Sequence, residues 1–187
     1  MDRYLLWVDR VSTWVGKGFG WLVVVLAFFV SWDVLARKFF DAPLEWAYDG
    51  SYILYGTIFM MAGAYTLARN AHVRGDIFYT HWPVRRQAAV DLLLYLWFFF
   101  PGVLFLVWGG IDFAEAAWRI QERSTTTTGG PPIYPLKTVL PIAAAFLLVQ
   151  GVAETIRAAR ALRTGVWPRR LGDVEETETK LAQQEQL

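Results

Sequence analysis

The chain has 187 residues, 55% of them hydrophobic, 17% aromatic and 19% charged, with a formal net charge of +1. So neutral a chain lacks the basic footprint that nucleic acid demands, which excludes that class of partner. With no cysteine it can form neither disulfides nor thiolate metal sites, and it has no cysteine nucleophile.

Charge is not merely low but segregated: it vanishes from four long windows and crowds between them. The first seventeen residues place Tyr4, Trp7, Val8, Val11, Trp14 and Val15 at three- and four-residue spacing, with Asp2, Arg3, Asp9 and Arg10 as a polar side. This pattern predicts an amphipathic helix over 1–17, lying in the membrane interface. A plain extension of the first span is the alternative. Residues 18–32 are uncharged, and a crossing needs about 20 residues, so the first span is expected over about 18–36 and includes Asp33. Val34, Leu35 and Ala36 have the spacing of a signal-peptide cleavage site. The adjacent Asp33 and the long aromatic stretch fit cleavage poorly, so the segment reads as a retained helix.

Three further spans are expected over about 48–68, 90–111 and 135–156, around the uncharged windows 50–68, 92–111 and 138–153. Only helices satisfy the backbone of such separate spans, so the fold class is an all-α membrane protein with four transmembrane helices in a domain of 18–160. Pro101 and Pro141 lie inside two spans, where neighbouring helices make kinks tolerable. A polar tail follows over 161–187. The segments before the first span, between the second and third, and after the fourth hold 13 Lys and Arg residues, against 5 in the other two connections. The positive-inside rule therefore puts both termini in the cytoplasm. Trp7, Trp14, Trp46, Trp82, Trp118 and Trp167 fall outside the uncharged windows, where indole rings anchor at headgroup depth.

Residues capable of chemistry are few. His72 and His81 lie nine apart with Asp76 between them, outside any span, a poor pattern for a metal or for haem. No phosphate loop and no serine–histidine–acid arrangement is visible, so neither an enzyme nor a cofactor is expected. Asp33 is the notable ionisable residue of a span, and Arg37 one turn later is its natural partner. The spans contain little polar surface and no broken helix, so the chain lacks a transport path of its own. Gly56, Met60, Gly63 and Leu67 run along one seam of the second span, where another helix could approach closely.

The stretch from Asp33 to Phe78, DVLARKFFDAPLEWAYDGSYILYGTIFMMAGAYTLARNAHVRGDIF, resembles the small permease subunit (DctQ-like) of TRAP transporters, the tripartite ATP-independent periplasmic systems. Arg37, Trp46, Asp49, Gly63, His72 and Asp76 look like the family's ordered positions. Glu122-Arg123-Ser124, the run Pro131 to Lys137 and Gln150-Gly151 are similar to its later ones. The resemblance covers roughly 15–160. The family often has asparagine at Asp33 and glutamate at Asp49. The WAYD, LYGTIFM and HVRGDIFY segments look most like the mannitol/chloroaromatic-type branch.

The resemblance implies a non-catalytic scaffold in a sodium-coupled symporter for organic acid uptake, multi-pass in a bacterial inner membrane. Its partners would be a large permease subunit and a periplasmic substrate-binding protein. Arg37, Asp49, Gly56, Gly63 and Glu122 are the expected partner-interface residues, and His72 and Asp76 would shape the bend at the cytoplasmic end of the second span. Lys17, Arg69 and Arg74 are placed to meet phospholipid headgroups. Two rival readings remain: a small proton-coupled transporter acting as an oligomer through Asp33, and a haem or quinone anchor of a respiratory enzyme.

Overall fold

The computed structural model describes residues 2–42, 44–71, 79, 81–127 and 129–172. His72, Arg74 and Asp76, and with them the expected bend and one headgroup contact, lie outside the described residues. The elements in chain order are α1 (Asp2–Gly20), α2 (Leu22–Phe40), α3 (Ala47–Ala68), α4 (Val84–Leu94), a π-helical turn (Tyr95–Phe99), α5 (Phe100–Arg119) and α6 (Tyr134–Thr164). Among the described residues there is no strand, only one isolated bridge between Arg123 and Pro132. Four helical stretches are long and apolar enough to cross a membrane: Arg3–Phe40, Ala47–Ala68, Val84–Arg119 and Tyr134–Thr164. The helices thus run past the uncharged windows, because charged residues at their ends continue the helix toward water.

Several breaks have local causes. Trp21 interrupts α1 and α2, where bonds from Trp21 N–H to the Gly18 carbonyl and from Val24 N–H to the Trp21 carbonyl tighten the turn. In the third span the π turn precedes Pro101, which has no N–H to give. The Phe100 N–H reaches the Tyr95 carbonyl, so the ladder shifts by one residue where the proline would otherwise break it. Helices α2, α3 and α5 end on Asp41, Asn70 and Gln121, all left-handed with φ of 51°, 53° and 50°. Backbone bonds from Ala71 to Thr66 and from Glu122 to Ala117 then close the last turns.

The chain divides into two compact units, Met1–Trp14 with Ala64–Val103 and Phe146–Leu187, and Val15–Gly63 with Leu104–Ala145. Burial is inverted relative to a soluble domain. The buried apolar residues are mostly alanines, including Ala36, Ala64, Ala88, Ala114, Ala143, Ala153 and Ala161, while large side chains such as Phe28, Trp97, Phe105 and Trp108 are exposed. Small inward residues let helices approach closely, and large apolar ones suit hydrocarbon.

In the first unit Leu5 and Val8 of α1 pack on Ala153 and Ile156 of α6. A Cβ at Gly151 would collide with the Phe99 ring, so glycine is required there for the π turn to lie against α6. In the second unit Gly110 faces Pro141, a Cβ there coming within 3.3 Å of the ring, and Phe29 packs on Gly50 and on Trp46, 4.9 Å between ring centroids.

The face α1 buries differs from the expected one. Asp9, assigned to the solvated side, is 1% exposed, and Ser12 and Thr13 are buried with it, while Trp7 and Trp14 point outward. The buried face is thus a mixed one, Leu5 and Val8 together with Asp9, Ser12 and Thr13, while Arg3 and Arg10 of the polar side stay exposed.

Candidate functional site

The first unit holds a buried ionic cluster. Residues 150, 154 and 157 share one face of α6, and 5, 9 and 12 share one face of α1, both at spacings of four and three. Arg157, fully buried, donates through Nη2 to Asp9 Oδ2 at 2.6 Å and through Nη1 to Glu154 Oε1 at 2.5 Å. Gln150 donates to Asp9 Oδ1 at 3.0 Å and accepts from Ser12 Oγ at 2.9 Å. Beyond α6, Arg170 donates to the second Glu154 oxygen at 2.8 Å, and the Leu171 N–H to Asp9 at 3.3 Å. Two carboxylates and two guanidinium groups make the cluster neutral. Arginine suits this place because its planar fork can bond two acids at once. The arrangement ties the N-terminal helix and the segment after α6 to one stripe of α6.

Two polar groupings stand in the second unit. Asp33, buried, accepts from Arg37 Nη2 at 2.6 Å and from the Leu44 N–H at 3.2 Å, so the pair one helical turn apart forms as its spacing predicts. Asp49, 3% exposed, accepts from Ser124 Oγ and Thr127 Oγ1, each at 2.6 Å. It thereby pins the threonine-rich connection after α5 to the first turn of α3. That connection folds back on itself: Ser124 N–H donates to the Pro131 carbonyl, Ile133 N–H to the Glu122 carbonyl, and Arg123 Nε to the Gly130 carbonyl at 2.9 Å. Glu122 and Lys137 close its base at 2.6 Å, with the Lys137 ammonium 4.0 Å from the centroid of Phe113.

The remaining sequence-predicted positions fall as follows. Gly56 faces Leu136, where a Cβ would make ordinary contact at 3.5 Å, and Gly63 is half-buried. Lys17 is exposed. Arg69 is half-buried, lies 5.8 Å from the centroid of its neighbour Tyr65, and sits beside Gly172. The structure brings Asp49 together with the Glu122 connection, while Arg37 pairs with Asp33. Sequence reasoning missed the cluster on Arg157. Its signal was present, two polar stripes at helical spacing on α1 and α6, but those residues read singly as the solvated flanks of apolar segments. Among the described residues no group of three or more histidine, aspartate or glutamate side chains could hold a metal.

No curated protein matches the chain. The family described as "Tripartite ATP-independent periplasmic transporters, DctQ component" matches residues 26–161, from within the first apolar stretch to near the end of the fourth. Glu122, Gln150, Gly151 and Asp49, whose contacts hold the units together internally, all lie within that match. The chain therefore belongs to the DctQ component family and is the small membrane subunit of a TRAP transporter, a system in which such subunits work with a large permease subunit and a substrate-binding protein.

Proposed function

We propose that this subunit is a static frame for a sodium-coupled importer of organic acids, and that the large permease subunit carries the substrate and ion sites. One observation supports this reading above the rest. Each buried charge of the described residues is already matched within the chain: Asp9 and Glu154 by Arg157, Asp33 by Arg37, and Asp49 by two hydroxyls. A carrier needs polar groups that are free to exchange partners with its cargo. Here they are committed to holding helices and a connection in place.

Lysine and arginine asymmetry supports an orientation with both termini in the cytoplasm of a bacterial inner membrane. In that orientation Arg37 and the connection held by Asp49 and Glu122 face the periplasm, where they would offer the binding protein a preformed surface. Lys17 and Arg69 would then meet phospholipid headgroups on the opposite side. The WAYD and HVRGDIFY segments support the mannitol/chloroaromatic-type branch, with organic acids as the substrate class.

Reconstitution with the large subunit and the binding protein tests the frame. Uptake of organic acid should need all three proteins and a sodium gradient, and this chain alone should transport nothing. Asp33→Asn should leave uptake within about threefold, because the pair it loses is partly exposed and such pairs contribute only about 0–1 kcal/mol. Complete loss of uptake by that variant in an intact complex would instead make Asp33 a transport-coupled carboxylate.

A further inference from the structure

The buried cluster on α6 is assembled from three separate pieces of chain, all within the first unit. Glu154 and Arg157 belong to α6 and neutralise each other one turn apart. The N-terminal arm, residues 2–14 of α1, brings a negative charge in Asp9. The strap, Gly165 to Leu171, brings a positive charge in Arg170. Arm and strap touch directly where the Leu171 N–H donates to Asp9 Oδ2 at 3.3 Å.

These charges decide which combinations can stay buried. With the arm docked alone, the site holds two carboxylates against one guanidinium. With the strap docked alone, it holds two guanidinium groups against one carboxylate. Asp9, Glu154 and Arg157 are all closed off from water, so solvent cannot screen the surplus. An unmatched buried charge is the costly arrangement, and the site escapes it only with both pieces docked or both gone.

Each piece can leave without unwinding a membrane span. The strap leaves α6 through Gly165, whose φ is 76°, and runs without helix or strand to Arg170. Side chains fasten it at Trp167, which donates to Gln87 at 3.2 Å, and at Arg170, which donates to Glu154 at 2.8 Å. The arm is followed by Gly18 and Gly20, where an added Cβ would meet nothing within 4 Å. Packing does not call for glycine at either position, whereas a hinge does, since glycine weakens a helix. A released arm also has a place to go, because Trp7 and Trp14 already point outward and suit the membrane interface.

We infer that the arm and the strap form one two-state joint, docked together or released together, with Glu154 and Arg157 as its neutral seat. Asp9 and Arg170 couple the two ends of the chain: loss of either charge expels both pieces. The frame reading above concerns the four spans and does not depend on this joint.

The test uses the full chain in lipid nanodiscs. The protein has no cysteine, so spin labels can be placed at will. One label at exposed Leu96, on the π turn, is paired with a label at exposed Trp7 on the arm or at exposed Val166 on the strap, giving Trp7→Cys/Leu96→Cys and Leu96→Cys/Val166→Cys. Pulsed electron resonance then reads the two distances. The parent should show one narrow distance for each pair. Arg170→Gln and Asp9→Asn should each raise the released fraction at least about tenfold, and by the same fraction in both pairs, because each leaves a buried charge unmatched. The double variant Asp9→Asn/Arg170→Gln is neutral again when docked and should return both distances to those of the parent. A double variant worse than either single one would show additive losses and overturn the coupling. So would a strap that moves in Arg170→Gln while the arm stays, or single variants with the parent's distances. If a single variant does not fold, the double variant still decides, since recovered distances support the joint and their loss overturns it.

Discussion

Replacing Arg157 by methionine removes the group that bridges Asp9 and Glu154. The two acids are 1% and 2% exposed, so neither can recover solvation from water. Breaking a buried ion pair on one side costs about 3–5 kcal/mol, since the other charge stays buried. Glu154 would keep Arg170 at 2.8 Å, and Asp9 would keep Gln150 and the Leu171 N–H. These survivors put the loss at the lower end, about 3 kcal/mol. For a chain of this size that corresponds to a melting temperature lower by about 6–12 °C. The ten tryptophans supply the signal, followed as intrinsic fluorescence of the purified chain in detergent while it is heated. The double variant Asp9→Leu/Arg157→Met leaves Glu154 and Arg170 as a neutral pair with an apolar contact beside it. It should recover to within about 3 °C of the parent, because replacing a whole buried pair is often neutral. A double variant that loses as much as both single variants together would show that the two sites act independently and would refute the reasoning.

Gly151→Ala puts a methyl into the Phe99 ring, and overpacking of this kind costs about 1–3 kcal/mol. The same melting measurement should show the loss, and Phe99→Leu in the same chain should restore part of it. Asp49→Ala removes the acceptor for Ser124 and Thr127, whose bonds to a charged group contribute about 1.5–3 kcal/mol each. Trypsin cleavage after Arg123 should then become faster in the folded protein. An unchanged rate would mean that the connection is held by its own backbone bonds alone.

Much of the fold is legible in the chain because the relevant signals are local. An uncharged window long enough to cross a bilayer marks a span wherever it occurs, and the four windows lie within the four long helices. Asp33 and Arg37 are equally legible, since residues four apart on a helix are neighbours whatever else is present. Asp49 stood out as a polar residue at the start of the second span, but the contacts it makes within the chain, to Ser124 and Thr127, lie 75 and 78 positions away. Nothing in local spacing connects them.

The sequence by itself determined that there are four apolar helices, how lysine and arginine are shared among the connections, and which family pattern the residues follow. It could not decide which face of α1 turns inward. The buried face mixes Leu5 and Val8 with Asp9, Ser12 and Thr13, and that choice depends on what the neighbouring helix offers. Only the tertiary structure set Asp9 against Arg157 and turned Trp7 and Trp14 outward, because a buried charge is tolerable only where a partner from a distant part of the chain meets it.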